Sequence, residues 1–161
     1  MTTLAVTGHM DLTDESVPLV REALRSLLAG YSEDLTGVSC IAAGSDSIFA
    51  EEVTAVGGRL VVVIPSQDYR ARKVKPEYAA IFDHLVETAV EVFTLPHETA
   101  GRSAYEAANA ELLQRADRLV AVWDGLPPSG KGGGTADTVE EARAAGVPVD
   151  VVWPDGAARR G

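Results

Sequence analysis

The sequence has almost no cysteine and few basic residues. Cys40 is the only cysteine, so the chain has no internal disulfide, and its position in an apolar run predicts a small core residue rather than a nucleophile. Fourteen lysines and arginines stand against 24 aspartates and glutamates, which gives a formal net charge of −10. A field of that sign repels a phosphate backbone, so we expect no nucleic-acid partner.

Long apolar runs and export signals are also missing. No run approaches the roughly 20 residues that span a bilayer, and the first residues show neither a basic region nor a signal core. We therefore expect no membrane partner and a cytoplasmic location.

The motifs of several common catalytic sites do not occur. His9, His84 and His97 show no metal-binding spacing such as HxxxH or HExxH. There is no GxSxG elbow, and Lys131 is followed by glycine, so the chain has no P-loop. We expect no metal and no cofactor.

A glycine-rich stretch is the most informative feature that is present. An apolar run at 119–123 precedes Gly132, Gly133, Gly134 and Thr135, and a helical pattern follows at 138–145. Free backbone N–H groups and the positive end of a helix dipole meet at such a junction, which favours an anion. Thr135 can cap the helix and offer a hydroxyl to a phosphate. A flexible glycine loop without a ligand is the alternative.

Strand and helix patterns alternate along the chain. Six apolar or alternating runs predict strands, at residues 3–7, 38–43, 60–64, 90–95, 119–123 and 149–153. The segments between them carry helical periodicity, except for the polar stretch 66–76, which we expect to be a loop. This order predicts an α/β, Rossmann-like doubly wound and mostly parallel sheet of about six strands, with helices on both faces. We expect one domain over 1–154 and a tail without a pattern over 155–161.

Right-handed crossovers would place the ends of several strands at one edge of this sheet. Gly8, Gly44, Pro65 and Asp124 each follow a strand, so they should meet at its carboxyl edge. His9 then offers a hydrogen bond to a phosphate or a base, or is a half-solvated turn residue. Ser45 and Asp46 are helix caps or ligands of a hydroxyl.

Five blocks of the sequence together resemble the SLOG superfamily. They are the Gly8-His9 turn, IAAGSDSIFAEE at 41–52, GGRLVVVIP at 57–65, ADRLVAVWDG at 116–125 and GGGT at 132–135. The superfamily includes LOG-type "lysine decarboxylase" proteins, the DNA-processing protein DprA/Smf and small nucleotide sensors. The resemblance implies a Rossmann-like domain that binds a nucleotide or a nucleotide-derived ligand between the glycine turns, and a possible homodimer.

The positions that match the LOG catalytic motif do not carry its catalytic residues. LOG enzymes are phosphoribohydrolases with a PGGxGTxxE motif and an arginine on the preceding helix. Aligned on Gly134-Thr135, the glutamate position holds Thr138, and the arginine position holds Ala108. Asp137 can supply a carboxylate for an oxocarbenium-like transition state, or it simply suits the helix dipole.

The sequence therefore predicts a binding or sensing module for a nucleotide-type small molecule, without efficient catalysis. The alternative is a divergent LOG-like phosphoribohydrolase that releases the base of a nucleoside 5′-monophosphate, with Asp137 as the catalytic carboxylate. The candidate ligand-binding residues are Gly8, His9, Gly44, Ser45, Asp46, Asn109, Asp124, Gly132, Gly133, Gly134 and Thr135.

Overall fold

The fold is a single parallel sheet covered by helices on both faces. A computed structural model describes residues 1–128 and 134–160. The strands are β1 Thr2–Gly8, β2 Leu35–Ser39, β3 Arg59–Ile64, β4 Glu91–Thr94, β5 Arg118–Val122 and β6 Val149–Val152. The helices are α1 Ser16–Ala29, α2 Ser45–Ala55, α3 Tyr69–Lys73, α4 Pro76–Thr88, α5 Arg102–Arg115 and α6 Thr135–Ala144, and a 3-10 turn covers Ser32–Asp34.

The strand order is β4-β3-β2-β1-β5-β6, and all five strand pairs are parallel. The chain builds outward from β1 to β4 and then returns to add β5 on the other side of β1. Ligands of doubly wound sheets bind at the carboxyl ends of the two strands where this direction changes. Here those strands are β1 and β5, whose last paired residues are Gly8 and Val122. The α/β, Rossmann-like prediction is confirmed.

Successive strand residues pack against opposite layers of helices, as the period-2 geometry of a strand requires. Leu4 of β1 contributes to a core with α1 and α2, whereas its neighbour Ala5 packs with residues of α5 and α6. Val61 of β3 lies on the α5 side, and Leu60 packs with residues of α2 and α4. The near-continuous apolar runs in the sequence therefore reflect burial of each strand on both faces.

The second strand and the loop after β3 differ from the sequence expectation. β2 ends at Ser39, not at residue 43, because Ile41 has a left-handed backbone with φ of 47°. Ile41 is fully buried, so its apolar side chain indicates a place in the hydrophobic core and not membership of a strand. The polar segment 66–76 is also not all loop, since it contains α3.

The segment after β6, residues 154–160, packs back onto the loop between β1 and α1. We call it the returning segment. Leu12 and Arg159 form an antiparallel bridge, and the Thr13 N–H donates to the Ala158 carbonyl at 3.0 Å. The expected tail without a pattern is therefore mostly a docked part of the fold. No helix within residues 1–128 and 134–160 is long and apolar enough to cross a membrane.

Candidate functional site

A cavity of about 680 Å³ lies at the carboxyl ends of β1 and β5. Its described walls come from the ends of β1, β2, β3 and β5, from the starts of α2 and α6, from α3 and α5, and from the returning segment. The predicted site residues that line it are Gly8, His9, Asp46, Asn109, Asp124, Gly134, Thr135 and Asp137. Gly132 and Gly133 lie outside the described residues.

Gly44 and Ser45 are not among the lining residues, because their contacts are with the main chain of the β1 loop. The Ser45 hydroxyl is fully buried and donates to the His9 carbonyl at 2.7 Å. Gly44 has φ of +91°, and a Cβ there would lie 2.8 Å from the Met10 carbonyl oxygen. These two residues hold the start of α2 against the β1 loop.

Gly8 is a point of close approach as well as a lining residue. A Cβ at this position would lie 2.5 Å from the Cβ of Ser45 and 2.8 Å from the Cβ of Val122. Glycine at the end of β1 therefore allows α2 and β5 to converge directly behind the cavity.

His9 joins the two strands at the switch point. Its Nε2 accepts the Asp124 N–H at 3.1 Å, so the proton of the neutral ring is on Nδ1. Burial lowers the pKa of His9, and the charge of Arg159 lowers it further, against the opposing effect of Asp124. The ring is 8% exposed and packs edge-on against Trp153 at 5.6 Å between centroids. His9 is consequently a neutral link between β1 and β5 at pH 7.

Asp46, in the first turn of α2, lines the cavity with a carboxyl group whose pKa is raised. Burial raises its pKa to about 7, although a hydrogen bond from the Ala42 backbone acts in the other direction. Cys40 and Tyr69 line the same part of the cavity, and burial followed by the charge of Asp46 raises the pKa of both groups. Cys40 therefore stays a thiol at neutral pH, which does not suit a nucleophile.

The start of α6 forms another part of the lining. Gly134, not Thr135, is the N-cap, and Thr135 is the first helical residue. Asp137 accepts the Gly134 N–H at 3.2 Å, so its carboxylate closes the helix end. Thr138, which occupies the LOG glutamate position, is buried and donates its hydroxyl to the Gly134 carbonyl at 3.1 Å.

Sequence reasoning missed several lining residues. Lys73 and Lys75, which lie in a short basic stretch after β3, both line the cavity, whereas Arg70 of the same stretch pairs with Asp83 at 2.6 Å. Arg159 reaches the cavity from the returning segment. The helical spacing of 103–116 could have indicated that Tyr105 shares a face with Asn109, since the two are four residues apart.

The described residues contain no cluster of three or more histidine, cysteine, aspartate or glutamate side chains that could hold a metal ion. The described residues that line the cavity include hydrogen-bonding, charged and aromatic side chains.

Comparison with known proteins gives structural matches only. No protein-family model and no curated protein match the sequence. DNA processing protein A from Helicobacter pylori superposes with a TM-score of 0.70 at 15% identity, over 98% of this chain and 68% of that one. DNA processing protein A from Streptococcus pneumoniae gives 0.69 at 17% identity over 97% of this chain, which spans 52% of that protein's length.

A third match is the molybdenum cofactor carrier protein from Chlamydomonas, with a TM-score of 0.55 at 18% identity over 94% of this chain and 75% of that one. The H. pylori protein is described by its single-stranded DNA binding, and the algal protein as a carrier of the molybdenum cofactor. At these identities the matches show the fold alone, and that fold is the α/β, Rossmann-like one that the sequence resemblance implies.

Proposed function

We propose that this Rossmann-like domain binds a nucleotide or a nucleotide-derived small molecule at the carboxyl edge of its sheet, without efficient catalysis. The observation that carries the proposal is the cavity at the β1/β5 switch point, which is lined by polar groups from several parts of the fold. Its volume of about 680 Å³ lies within the range of small-molecule sites.

The start of α6 and two lysines favour an anionic group on the ligand. The first backbone N–H groups of a helix have no partner within it, and the helix dipole adds positive potential there. Thr135 and Ala136 present this end to the cavity, and Lys73 and Lys75 lie on its rim. A phosphate of a nucleotide matches both features.

The remaining lining suits a sugar and a base. Asn109 can donate and accept hydrogen bonds in one plane, and Asp124 can accept from hydroxyl groups. Tyr69, Tyr105 and Trp123 add aromatic surface to the same cavity. A ligand with a phosphate, hydroxyl groups and a flat ring would use all of these groups together.

The observed role of Asp137 supports binding over catalysis. Its carboxylate is hydrogen-bonded to the Gly134 N–H, and the neighbouring glutamate position of the LOG motif holds the buried Thr138. Stabilisation of an oxocarbenium-like state requires a carboxylate directed at the sugar. Here the carboxylate of Asp137 already caps α6.

The test is a titration of AMP, GMP, CMP and UMP into the protein, followed by calorimetry and by thermal unfolding. We expect at least one to bind, and a nucleotide at about a hundred times its Kd should stabilise the fold by about 2.7 kcal/mol. Lys73→Ala together with Lys75→Ala should weaken binding, because the two ammonium groups line the cavity. Arg102→Ala, which removes an exposed pair with Glu106 on α5, is the matched control. No binding of any of the four would refute the proposal.

The second candidate is the divergent phosphoribohydrolase, which is favoured only by the position of Asp137 at the cavity. Incubation with the same four nucleotides, followed by chromatography for free base, separates the two functions. Base release that disappears in Asp137→Ala would establish the enzyme and overturn the proposal of a non-catalytic module. The cytoplasmic location and the homodimer remain predictions, and the second is tested by light scattering.

A further inference from the structure

Arg159 is the cavity residue that the returning segment supplies. Its side chain is 42% exposed and lines the cavity beside the switch point. Asp11 accepts its Nε–H at 2.8 Å, and an Asp124 carboxylate oxygen lies 3.8 Å from its NH1 nitrogen. The backbone is fixed too, because the Arg160 N–H donates to the Asp11 carbonyl at 2.7 Å.

This arrangement orients the guanidinium group but leaves most of its donors available. A guanidinium group has five N–H donors in a rigid fork. Within residues 1–128 and 134–160, its one hydrogen bond is the Nε–H bond to Asp11. The hydrogen bond to Asp11 also raises the pKa of Arg159, so the group is charged at any pH of interest.

We propose that Arg159 binds the phosphate or carboxylate group of the ligand, and that the returning segment is therefore a wall of the binding site. The inference rests on the proposed function and names the residue that recognises the anionic end. Asp11 and Asp124 hold the guanidinium group in place, and its terminal N–H groups form charge-assisted, bidentate hydrogen bonds with two oxygens of the ligand.

A purely structural role for Arg159 makes a different prediction. In that case the ion pair with Asp11 only fastens the returning segment to the β1 loop. Loss of either partner would then release the segment and weaken ligand binding to the same extent. If Arg159 contacts the ligand, loss of Asp11 removes a negative charge near the anion and leaves the guanidinium group present.

The experiment measures the Kd of the tightest-binding nucleoside monophosphate among AMP, GMP, CMP and UMP for a set of single variants. We expect Arg159→Gln to weaken binding at least tenfold, and Arg159→Lys to be intermediate because it keeps the charge but not the fork. Asp11→Asn should bind at least as tightly as the wild type. Arg160→Gln is the matched control, since Arg160 pairs with Asp14, whose side chain is 91% exposed, and it should stay within twofold.

Two results would overturn the inference while the proposed function stands. One is an Arg159→Gln variant that binds within twofold of the wild type. The other is equal weakening in Asp11→Asn and Arg159→Gln, which indicates a structural clasp. Absence of binding to the wild type would instead refute the proposed function and the inference with it.

Discussion

The Asp46 carboxyl group is partly withdrawn from water at the wall of the cavity, which raises its pKa from 3.8 to about 7. The folded protein therefore holds a proton between about pH 4 and pH 7 that the unfolded chain releases. Stability must fall as the pH rises through that window and level off above it, because the charged form is the one that burial penalises.

Replacement of Asp46 by asparagine should remove this pH dependence. We expect the stability of Asp46→Asn relative to the wild type to be higher at pH 8 than at pH 5. The reason is that the asparagine amide carries no charge at either pH, whereas the wild-type carboxyl group becomes charged. Urea denaturation of both proteins at the two pH values measures the effect. An identical pH dependence in the two proteins would contradict the raised pKa.

Gly8 is a second residue whose replacement should change stability, because the structure has no room for a Cβ atom there. In Gly8→Ala the new methyl group would meet Ser45 and Val122 at less than 3 Å, so we expect a loss of about 1–3 kcal/mol of stability from overpacking. Thermal or urea unfolding measures it. Gly101→Ala is the control, because no atom lies within 4 Å of its added Cβ, and a similar loss there would argue against the steric explanation.

Helices α1 and α2 are joined by a buried carboxylate. Glu52 on α2 is 3% exposed and accepts hydrogen bonds from Arg25 at 2.7 Å and from Arg21 at 3.0 Å on α1. Burial by itself raises the pKa of Glu52, but the two arginines outweigh it and lower the pKa below its ordinary value of 4.5. The stabilisation from this pair is present above pH 4.5 and is lost as the pH falls towards the folded pKa.

Substitution of Glu52 by glutamine should cost about 1–2 kcal/mol at pH 7, less than a fully buried pair, because both arginines reach water. The loss should shrink as the pH falls from 4.5 through the lowered pKa of Glu52, because the wild type then loses the same stabilisation. Denaturation curves at pH 7 and at pH 3 give the comparison. Glu51→Gln, on the same helix but 38% exposed, is the control and should change stability by less than roughly 0.5 kcal/mol.

Strands were predictable from the sequence where a local pattern, the continuous apolar run, determined them. The strands around Val61 and Val120 are buried on both faces, so their apolar runs gave their position correctly. Ile41 is equally apolar, but its left-handed backbone is held by tertiary contacts, including the Tyr78 hydroxyl, which donates to its carbonyl at 2.7 Å. That contact joins residues 37 positions apart, and no periodicity within 38–43 reports it.

The same distinction applies to the cavity. His9 and Asp124 were predictable because each lies within two residues of the end of a strand, and the strand order brings them together. Arg159 was not, because its partner Asp11 lies 148 positions away and the intervening sequence carries no signal for the pairing. Ser45 follows β2 at the same edge of the sheet, yet its hydroxyl donates to the His9 carbonyl and does not face the cavity. That side-chain orientation depends on tertiary packing.

At the scale of the whole molecule, the net charge of −10 opposes one function of its structural relatives. Binding of a nucleic-acid strand depends on several cations that displace counterions along the backbone. We expect no increase in anisotropy when this protein is added to a labelled single-stranded oligonucleotide at low salt. The H. pylori protein serves as the positive control, and saturable, salt-sensitive binding by this chain would contradict the expectation.

The order of the strands also governs when the cavity can exist during synthesis. β1 is made first, but its neighbour on one side, β5, is more than a hundred residues further along the chain. Until β5 has left the ribosome, β1 has no neighbour on that side, and the cavity lacks the wall that β5 provides. The cavity can therefore form only after β5 has been made, so a ligand of this cavity would bind the folded domain and not the growing chain.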